Sequence, residues 1–301
     1  MDLRKLITHV RHITYRPDTG GAVTDSELAD YINLGQQFIA AKITGKDKQY
    51  FCEVDNTLGF VSTQREYDIP EAIRNSLITL VERTDTSPPN KLHEIRFQRR
   101  ESFEGGTIGL PQPLGADGGY YYIRGQKLGI IPTPKTTTAN SLQISYIRQL
   151  ADLSYGNVAS GTSTSIKLAT TPTAGDTKQI NDYYNGERIM IVSGAGVGQT
   201  RTISDYVGST RLATVDAAWT TTPDTTSMYS FISSIPDQHH EILGAYAAKL
   251  VHIKVKDRDG IMAETARFSD LLLMLLSSVE MRTSDSPKYI NITGDNIEEF
   301  S

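Results

Sequence analysis

The chain has 301 residues, a hydrophobic content of 38% and a formal net charge of −5, enough for one large core or two modest ones. That charge balance excludes a protein that grips nucleic acid over a broad face, which needs a basic surface to neutralise phosphates. Cys52 is the single cysteine, so an internal disulfide framework and a multi-cysteine zinc site are excluded, in keeping with a reducing cytoplasm during folding. The longest apolar run, Leu271 to Leu276, falls well short of the ~20 residues that a membrane span needs. The opening "MDLRKLITHVRH" scatters charge among its apolar positions, unlike a secretory signal.

In chain order, Leu3, Leu6, Ile7, Val10 and Ile13 fall at helical spacing and predict a short first helix. Thr24-Asp25-Ser26-Glu27 reads as a capping box, with Thr24 accepting from the Glu27 amide and Glu27 reaching back. Leu28, Tyr31, Ile32, Phe38 and Ile39 continue that helix to about Ala41. From Gln49 the period becomes two: "QYFCEV" and "QREYDIP" predict strands joined around Asn56 to Gly59, the second stopped by Pro70. "EAIRNSLITLVERTD" starts as a helical turn and finishes as a strand, and "KLHEIRFQRRE" is a strand with neither face cleanly apolar. Gly105 to Gly119 is a loop. Tyr120–Arg124 and Lys127–Ile131 predict a hairpin about Gly125-Gln126, a turn that wants positive φ, and Leu142, Ile144 and Tyr146 add a third strand to make a β-meander.

The texture changes between Tyr155 and Phe231, where Thr, Ser and Gly become abundant and charge becomes sparse. "TSIKLA", "GERIMIVS", "QTRTISDY", "TRLATVDA" and "SMYSFI" predict five strands, with a hairpin turn at Gly208-Ser209, and suggest a small barrel or sandwich. After Pro236 two amphipathic segments, "DQHHEILGAYAAKLVHIKVK" and "GIMAETARFSDLLLMLLSSVEMR", predict a helical hairpin with Gly260 in the break. The polar stretch from Thr283 to Ser301 lacks periodicity and reads as an extended tail.

No motif builds an enzyme site. "SGAGVGQTR" places Gly194, Gly196 and Gly198 after a strand, but a pyrophosphate site needs a helix to follow, and the residues beyond alternate as a strand. Gly45-Lys46 precedes Asp47, so it is no P-loop. His239 and His240 are adjacent, and His252 is a dozen residues on, so they do not share a metal without help from elsewhere. No cofactor is expected. The basic spots at Arg96, Arg99 and Arg100, and at Lys254, Lys256 and Arg258, read as solvated faces or protein contacts. Tyrosine clusters at Tyr120–Tyr122 and Tyr183-Tyr184 suit either a core or a protein interface.

Three segments, "LADYINLGQQFIAAK", "REYDIPEAIRNSLITLVE" and the hairpin "YYYIRGQKLGIIPTPK" leading to "LQISYIRQLADLS", are followed after the block by "IPDQHHEILGAYAAKL" and a long last helix. This order resembles the head-to-tail adaptor (connector) proteins of tailed bacteriophages over about 1–155 and 232–290. The block itself resembles a β module that recurs in phage structural proteins. The expected fold is therefore α+β: a helical adaptor domain with a β-meander or hairpin, split into residues 1–154 and 232–282. An inserted all-β domain occupies 155–231, and a tail runs from 283 to 301.

The resemblance implies a structural, non-enzymatic virion protein of the neck between capsid and tail. Such adaptors form a homo-oligomeric ring, typically dodecameric, that docks beneath the portal protein, offers a platform to the tail or nozzle protein, and lines a channel through which DNA passes without sequence-specific binding. An acidic ring would let DNA slide past, which the net charge of −5 fits independently. The tail would then reach the portal through Tyr289, Ile290, Ile292, Ile297 and Phe300. The β block would offer Tyr183, Tyr184, Trp219 and Tyr229 to the capsid, to tail fibres or to a neighbouring copy. The alternative is a tail-associated or decoration protein whose β domain binds a receptor, a glycan or another virion protein. Against it, the chain shows neither the repeats nor the heptads usual in tail fibres.

Overall fold

The computed structural model describes residues 1–14, 23–70, 73, 76–99 and 119–283. Helix α1 (Leu3–Ile13) starts because the Asp2 side chain accepts from the Lys5 amide, and it buries Leu3, Leu6, Ile7 and Val10 on one stripe. Helix α2 (Asp25–Lys46) begins at Thr24, whose hydroxyl accepts from the Glu27 amide at 3.2 Å. The expected reciprocal bond is replaced. Glu27 instead accepts from Tyr31 at 2.7 Å and from Lys254 at 2.6 Å, because a cation and a phenol outcompete a backbone amide for a carboxylate. The helix also runs past Ala41, since Ile43 continues the buried stripe.

Helices α3 (Glu241–Lys254) and α4 (Arg258–Thr283) form the expected hairpin, clasped by an Arg267–Glu241 ion pair. The break between them lies before Gly260 rather than on it. Lys256 takes φ +59°, and the Asp257 carboxylate accepts from the Gly260 amide at 3.1 Å, which places Gly260 in the first turn of α4. Glycine is needed there by space: a Cβ would lie 2.2 Å from His252 Nδ1.

The strands before Tyr155 sort into two four-stranded sheets, with orders β1-β8-β3-β4 and β2-β7-β6-β5. The first holds β1 (Cys52–Asp55), β3 (Leu77–Arg83), β4 (Asn90–Lys91) and β8 (Leu142–Ile147); the second holds β2 (Glu66–Asp68), β5 (His93–Glu94), β6 (Tyr120–Arg124) and β7 (Lys127–Ile131). The β6–β7 hairpin turns on Gly125 at φ +61°, as the sequence predicts. Three other expectations are corrected. β1 and β2 do not pair with each other but join different sheets. β8 does not extend a meander, because it enters the other sheet between β1 and β3. "KLHEIRFQ" is not one strand but two short ones in different sheets, since Leu92 is buried between them and a 3-10 turn follows at Phe97–Arg99. Most of the predicted loop Gly105–Gly119 lies outside the described residues.

Residues 155–232 supply a seven-stranded sheet in the order β10-β11-β14-β13-β12-β15-β9. The five predicted strands correspond to β11 (Ser165–Lys167), β12 (Arg188–Ser193), β13 (Thr200–Val207), β14 (Leu212–Val215) and β15 (Met228–Ile232); β9 (Tyr155–Asn157) and β10 (Ser160–Gly161) escaped the pattern because they are so short. Its pairing order is open, ending on β10 and β9, where a barrel or sandwich was expected.

The cores divide elsewhere than the texture does. One cluster unites Leu3, Leu6 and Ile7 of α1, Ile32 and Ile39 of α2 and Val251 of α3 with Ile189, Ile191, Tyr229 and Phe231 of the seven-stranded sheet. A second cluster lies wholly within residues 60–146 and is built by Phe60, Tyr67, Val81, Tyr121, Leu128 and Ile144. The protein is therefore mixed α+β, with helices and the later sheet sharing one core.

Candidate functional site

The two cores meet at residues 148–154, an irregular stretch whose backbone groups need partners once buried. Helix α2 supplies them from one face. Asn33 donates to the Leu153 carbonyl at 3.1 Å and accepts from the Leu153 amide at 2.8 Å, Gln36 donates to Ala151 at 2.8 Å, and Gln37 donates to Leu150 at 2.6 Å. Positions i, i+3 and i+4 put the three amides on one side of the helix. From the other side Glu187 accepts from the Ala151 amide at 3.2 Å, and the Tyr183 hydroxyl accepts from the Asp152 amide at 3.2 Å. Apolar periodicity alone does not mark these amides. Three polar amides at helical spacing beside a buried stripe are the signal that would have found them.

Arg148 is the hub of this junction. Its guanidinium lies 3.1 Å from Glu53 on β1 and 3.3 Å from the buried Glu187, and it donates to the Asn185 carbonyl at 3.0 Å and to the Ser234 hydroxyl at 3.1 Å. Ser234 in turn donates to Glu187 at 2.9 Å, and the Tyr146 hydroxyl donates to Glu53 at 3.2 Å. Burial pushes the Glu187 carboxyl above its ordinary range, with Arg148 pulling the other way. Beside the hub a cleft of about 400 Å³ is lined by Gln37, Glu53, Tyr146, Asp152 and Tyr183. Its polar groups are held by one another and by backbone, so it has the chemistry of a structural seam rather than of a nucleophile–base pair.

Of the four aromatics expected on the surface of the β block, three are in the core. Tyr184 and Tyr229 are fully buried and Trp219 is 4% exposed. Tyr184 stacks on Phe231 and meets Tyr206 edge-on, and Arg201 covers the Trp219 ring. Apolar rings on an otherwise polar sheet are what its core requires, which is why this surface expectation fails. Only Tyr183 keeps partial exposure, with its hydroxyl committed to Asp152. The tail candidates Tyr289, Ile290, Ile292, Ile297 and Phe300 lie outside the described residues.

The histidines are separated. His239 meets Ser278 at 3.2 Å, His240 is buried against the Ile235 carbonyl at 2.8 Å, and His252 pairs with Asp257 at 2.8 Å. No group of three metal-ligating side chains occurs among the described residues. Gly194, Gly196 and Gly198 all take positive φ in a turn braced by Gln199, which donates to the Gly196 carbonyl at 3.1 Å and to the Thr221 carbonyl at 3.0 Å. Of the basic spots, Lys254 is engaged by Glu27; Arg100 and the Arg99 side chain lie outside the described residues. Exposed apolar side chains are dispersed: Met262, Leu273 and Met274 of α4 stand at 67%, 68% and 62% exposure and Leu34 of α2 at 57%, while Leu77, Val197 and Val54 on strands and a turn are comparably exposed.

The family described as SU10 adaptor protein matches residues 1–167, from α1 to the end of β11 and more than half of the chain. The chain belongs to the SU10 adaptor protein family. No curated protein matches it. It is thus a phage adaptor-type structural protein, a virion component of a kind that is typically non-enzymatic. The match runs through Tyr155 into the β block, and helices α3 and α4 of the adaptor lie beyond it. No helix among the described residues of the adaptor is long and apolar enough to cross a membrane.

Burial lowers the pKa of His9, His239 and His240, in each case as the first cause. For His240 the Met1 ammonium and Arg188 add to the lowering and Asp237 opposes it; for His9, Arg267 and His12 add to it while Glu241 and Glu264 oppose it. A depressed folded-state pKa means that the folded adaptor holds the neutral imidazole. The associated stability is complete above an unfolded pKa of about 6.5 and is lost as pH falls through the lower folded values. Urea midpoints measured from about pH 8 down to about pH 5 should decline below about 6.5. His240→Gln should flatten part of that decline, and an unchanged profile would remove His240 from the account.

Proposed function

We propose that this adaptor forms a ring, typically dodecameric, beneath the portal, joins the capsid to the tail or nozzle protein, and lines the channel through which DNA passes. The observation that carries the proposal is the family match over α1, α2 and both small sheets. Two features of the molecule support it. Exposed apolar side chains on α2 and α4, among them Leu34, Met262, Leu273 and Met274, offer surface for side-by-side packing of copies. The net charge of −5, repeated around a ring, disfavours adhesion of DNA to the lumen. In this proposal the tail residues Tyr289, Ile290, Ile292, Ile297 and Phe300 reach the portal, and the seven-stranded sheet faces the capsid, tail fibres or the next copy. The burial of Tyr184, Trp219 and Tyr229 removes most of the aromatic surface expected of the β block, for a virion partner and for a receptor alike. Negative-stain images of the purified protein, alone and mixed with its portal, should show rings. A persistent monomer that leaves portal unbound would sink the proposal.

A further inference from the structure

Residues 52–147 are joined to the rest of the protein by two backbone crossings, Phe51–Cys52 and Ile147–Arg148, and these lie side by side. Cys52 stands opposite Ile147 in the β1–β8 pairing, and the Arg148 amide donates to the Phe51 carbonyl at 2.8 Å. Both crossings leave from firmly held chain. Phe51 is buried in the core that the helices share with the seven-stranded sheet, and Leu150, Ala151 and Leu153 are pinned by Gln37, Gln36 and Asn33. Beyond the crossings the two small sheets close on their own core. Among the described residues, neither a helix nor the seven-stranded sheet packs extensively on them. Two units that share so little packing move relative to one another unless a large apolar interface stops them.

Among the described residues the junction is open instead. Successive residues of a strand point to opposite faces, so Tyr146 and Ile147 of β8 look into different clefts. Tyr146 lines the cleft of about 400 Å³ beside Arg148, with Asp152, Asp182 and Tyr183 of the larger body across it. Ile147 lines a second cleft of about 480 Å³, with Ala40, Ala41 and Thr44 of α2 across it. Open space thus flanks the paired crossings on both faces of the small sheet, and rotation about them meets little resistance from packing. An ion pair spans the same point. The Arg148 guanidinium is held to the larger body by Glu187, Asn185 and Ser234, and it reaches Glu53 of the small sheet at 3.1 Å. The Tyr146 hydroxyl donates to Glu53 and helps aim it. Glu53 is 41% exposed, so water and salt compete for this contact.

We propose that residues 52–147 swing as a rigid unit about the paired crossings, and that the Glu53–Arg148 ion pair is the latch that holds their present orientation. A unit mounted in this way meets partner surfaces at different angles while the helices and the seven-stranded sheet stay fixed. The hinge stands on the two crossings, the two clefts and the ion pair. It does not rest on the ring reading, and it is tested on the free protein, so that either can fail without the other.

Pulsed electron–electron double resonance on the full-length chain reads the motion. Nitroxides attached through p-acetylphenylalanine at the exposed positions Lys135 and Ser209 report the distance between the units and leave Cys52 in place. A second pair, at Ser209 and the exposed Ser269, reports on the larger body alone. Raising salt from about 0.1 M to about 1 M shortens the screening length from about 10 Å to about 3 Å, which weakens the latch. Salt and Glu53→Gln should each widen the Lys135–Ser209 distance distribution about twofold. The Ser209–Ser269 distribution and the circular-dichroism spectrum should stay unchanged. A narrow Lys135–Ser209 distribution that neither salt nor Glu53→Gln moves overturns the hinge. A broad one that neither moves overturns the latch, and equal widening of both pairs overturns rigid-body motion in favour of general loosening.

Discussion

Arg148→Met should lower the free energy of unfolding by about 3–5 kcal/mol at neutral pH, the cost of leaving a buried charge without its partner. The stranded group is Glu187, whose side chain is 2% exposed, whereas Glu53 at 41% can turn to water. Ser234 and the Ala151 amide would still hydrogen-bond Glu187, which places the expected loss nearer the lower end of that range. The pH dependence separates this account from a simple packing defect. Burial already raises the Glu187 pKa, and a raised folded-state pKa contributes stability that is present at low pH and lost as pH rises through the folded value. Without Arg148 the pKa rises further, so the gap between variant and wild type should close as pH is lowered through the carboxylate range. Arg148→Met combined with Glu187→Gln should recover part of the loss, because the second change removes the unpaired charge. Urea unfolding of the three proteins at two pH values settles it. Equal losses at both pH values, with no recovery in the double variant, would show that the ion cluster is not what joins the cores.

The second large effect concerns where the chain can be cut. Removing 155–231 and bridging with glycine and serine should abolish cooperative folding, whereas removing 52–147 should leave a protein that still melts cooperatively. Both excisions are geometrically simple. The Phe231 amide donates to the Ser154 carbonyl at 3.1 Å, and the Arg148 amide donates to the Phe51 carbonyl at 2.8 Å, so the flanking ends are neighbours in each case. The difference lies in what each block covers. The seven-stranded sheet shares its core with all four helices, and it touches α1 through the Asp2–Ile232 bridge and the Arg4 amide, which donates to Ser230 at 3.3 Å. Uncovering even a few of those leucines and isoleucines costs about 1.5–3 kcal/mol each, against a total stability of about 5–15 kcal/mol. The two small sheets hold a core of their own. Calorimetry and near-ultraviolet circular dichroism on the two truncated proteins read the result. A cooperative melt after loss of 155–231 would show that the block is a separable insert.

Much of this architecture was legible beforehand. The stripe Leu3, Leu6, Ile7 and Val10 fixes α1, Thr24 fixes the start of α2, and Gly125 between two alternating runs fixes the β6–β7 hairpin, because periodicity, capping and turn chemistry are local properties of the chain. The segments that place this chain among the adaptors are local in the same sense, and the family match covers those before the β block, while "IPDQHHEILGAYAAKL" and the last helix lie beyond it. Partnership was not legible. β1 and β2 are consecutive yet belong to different sheets, and β8 leaves its hairpin neighbours to pair with β1 and β3, because strand pairing depends on contacts distant in sequence. The same limit governs the surface. Tyr184, Trp219 and Tyr229 have the composition of an interface and the position of a core, while Asn33, Gln36 and Gln37 look like solvated amides and instead hold the junction. Sequence by itself determined the longer elements, the charge and the family. Only tertiary structure decided that the change of texture at Tyr155 is not a boundary between cores, because burial is a property of what packs together and not of what is adjacent in the chain.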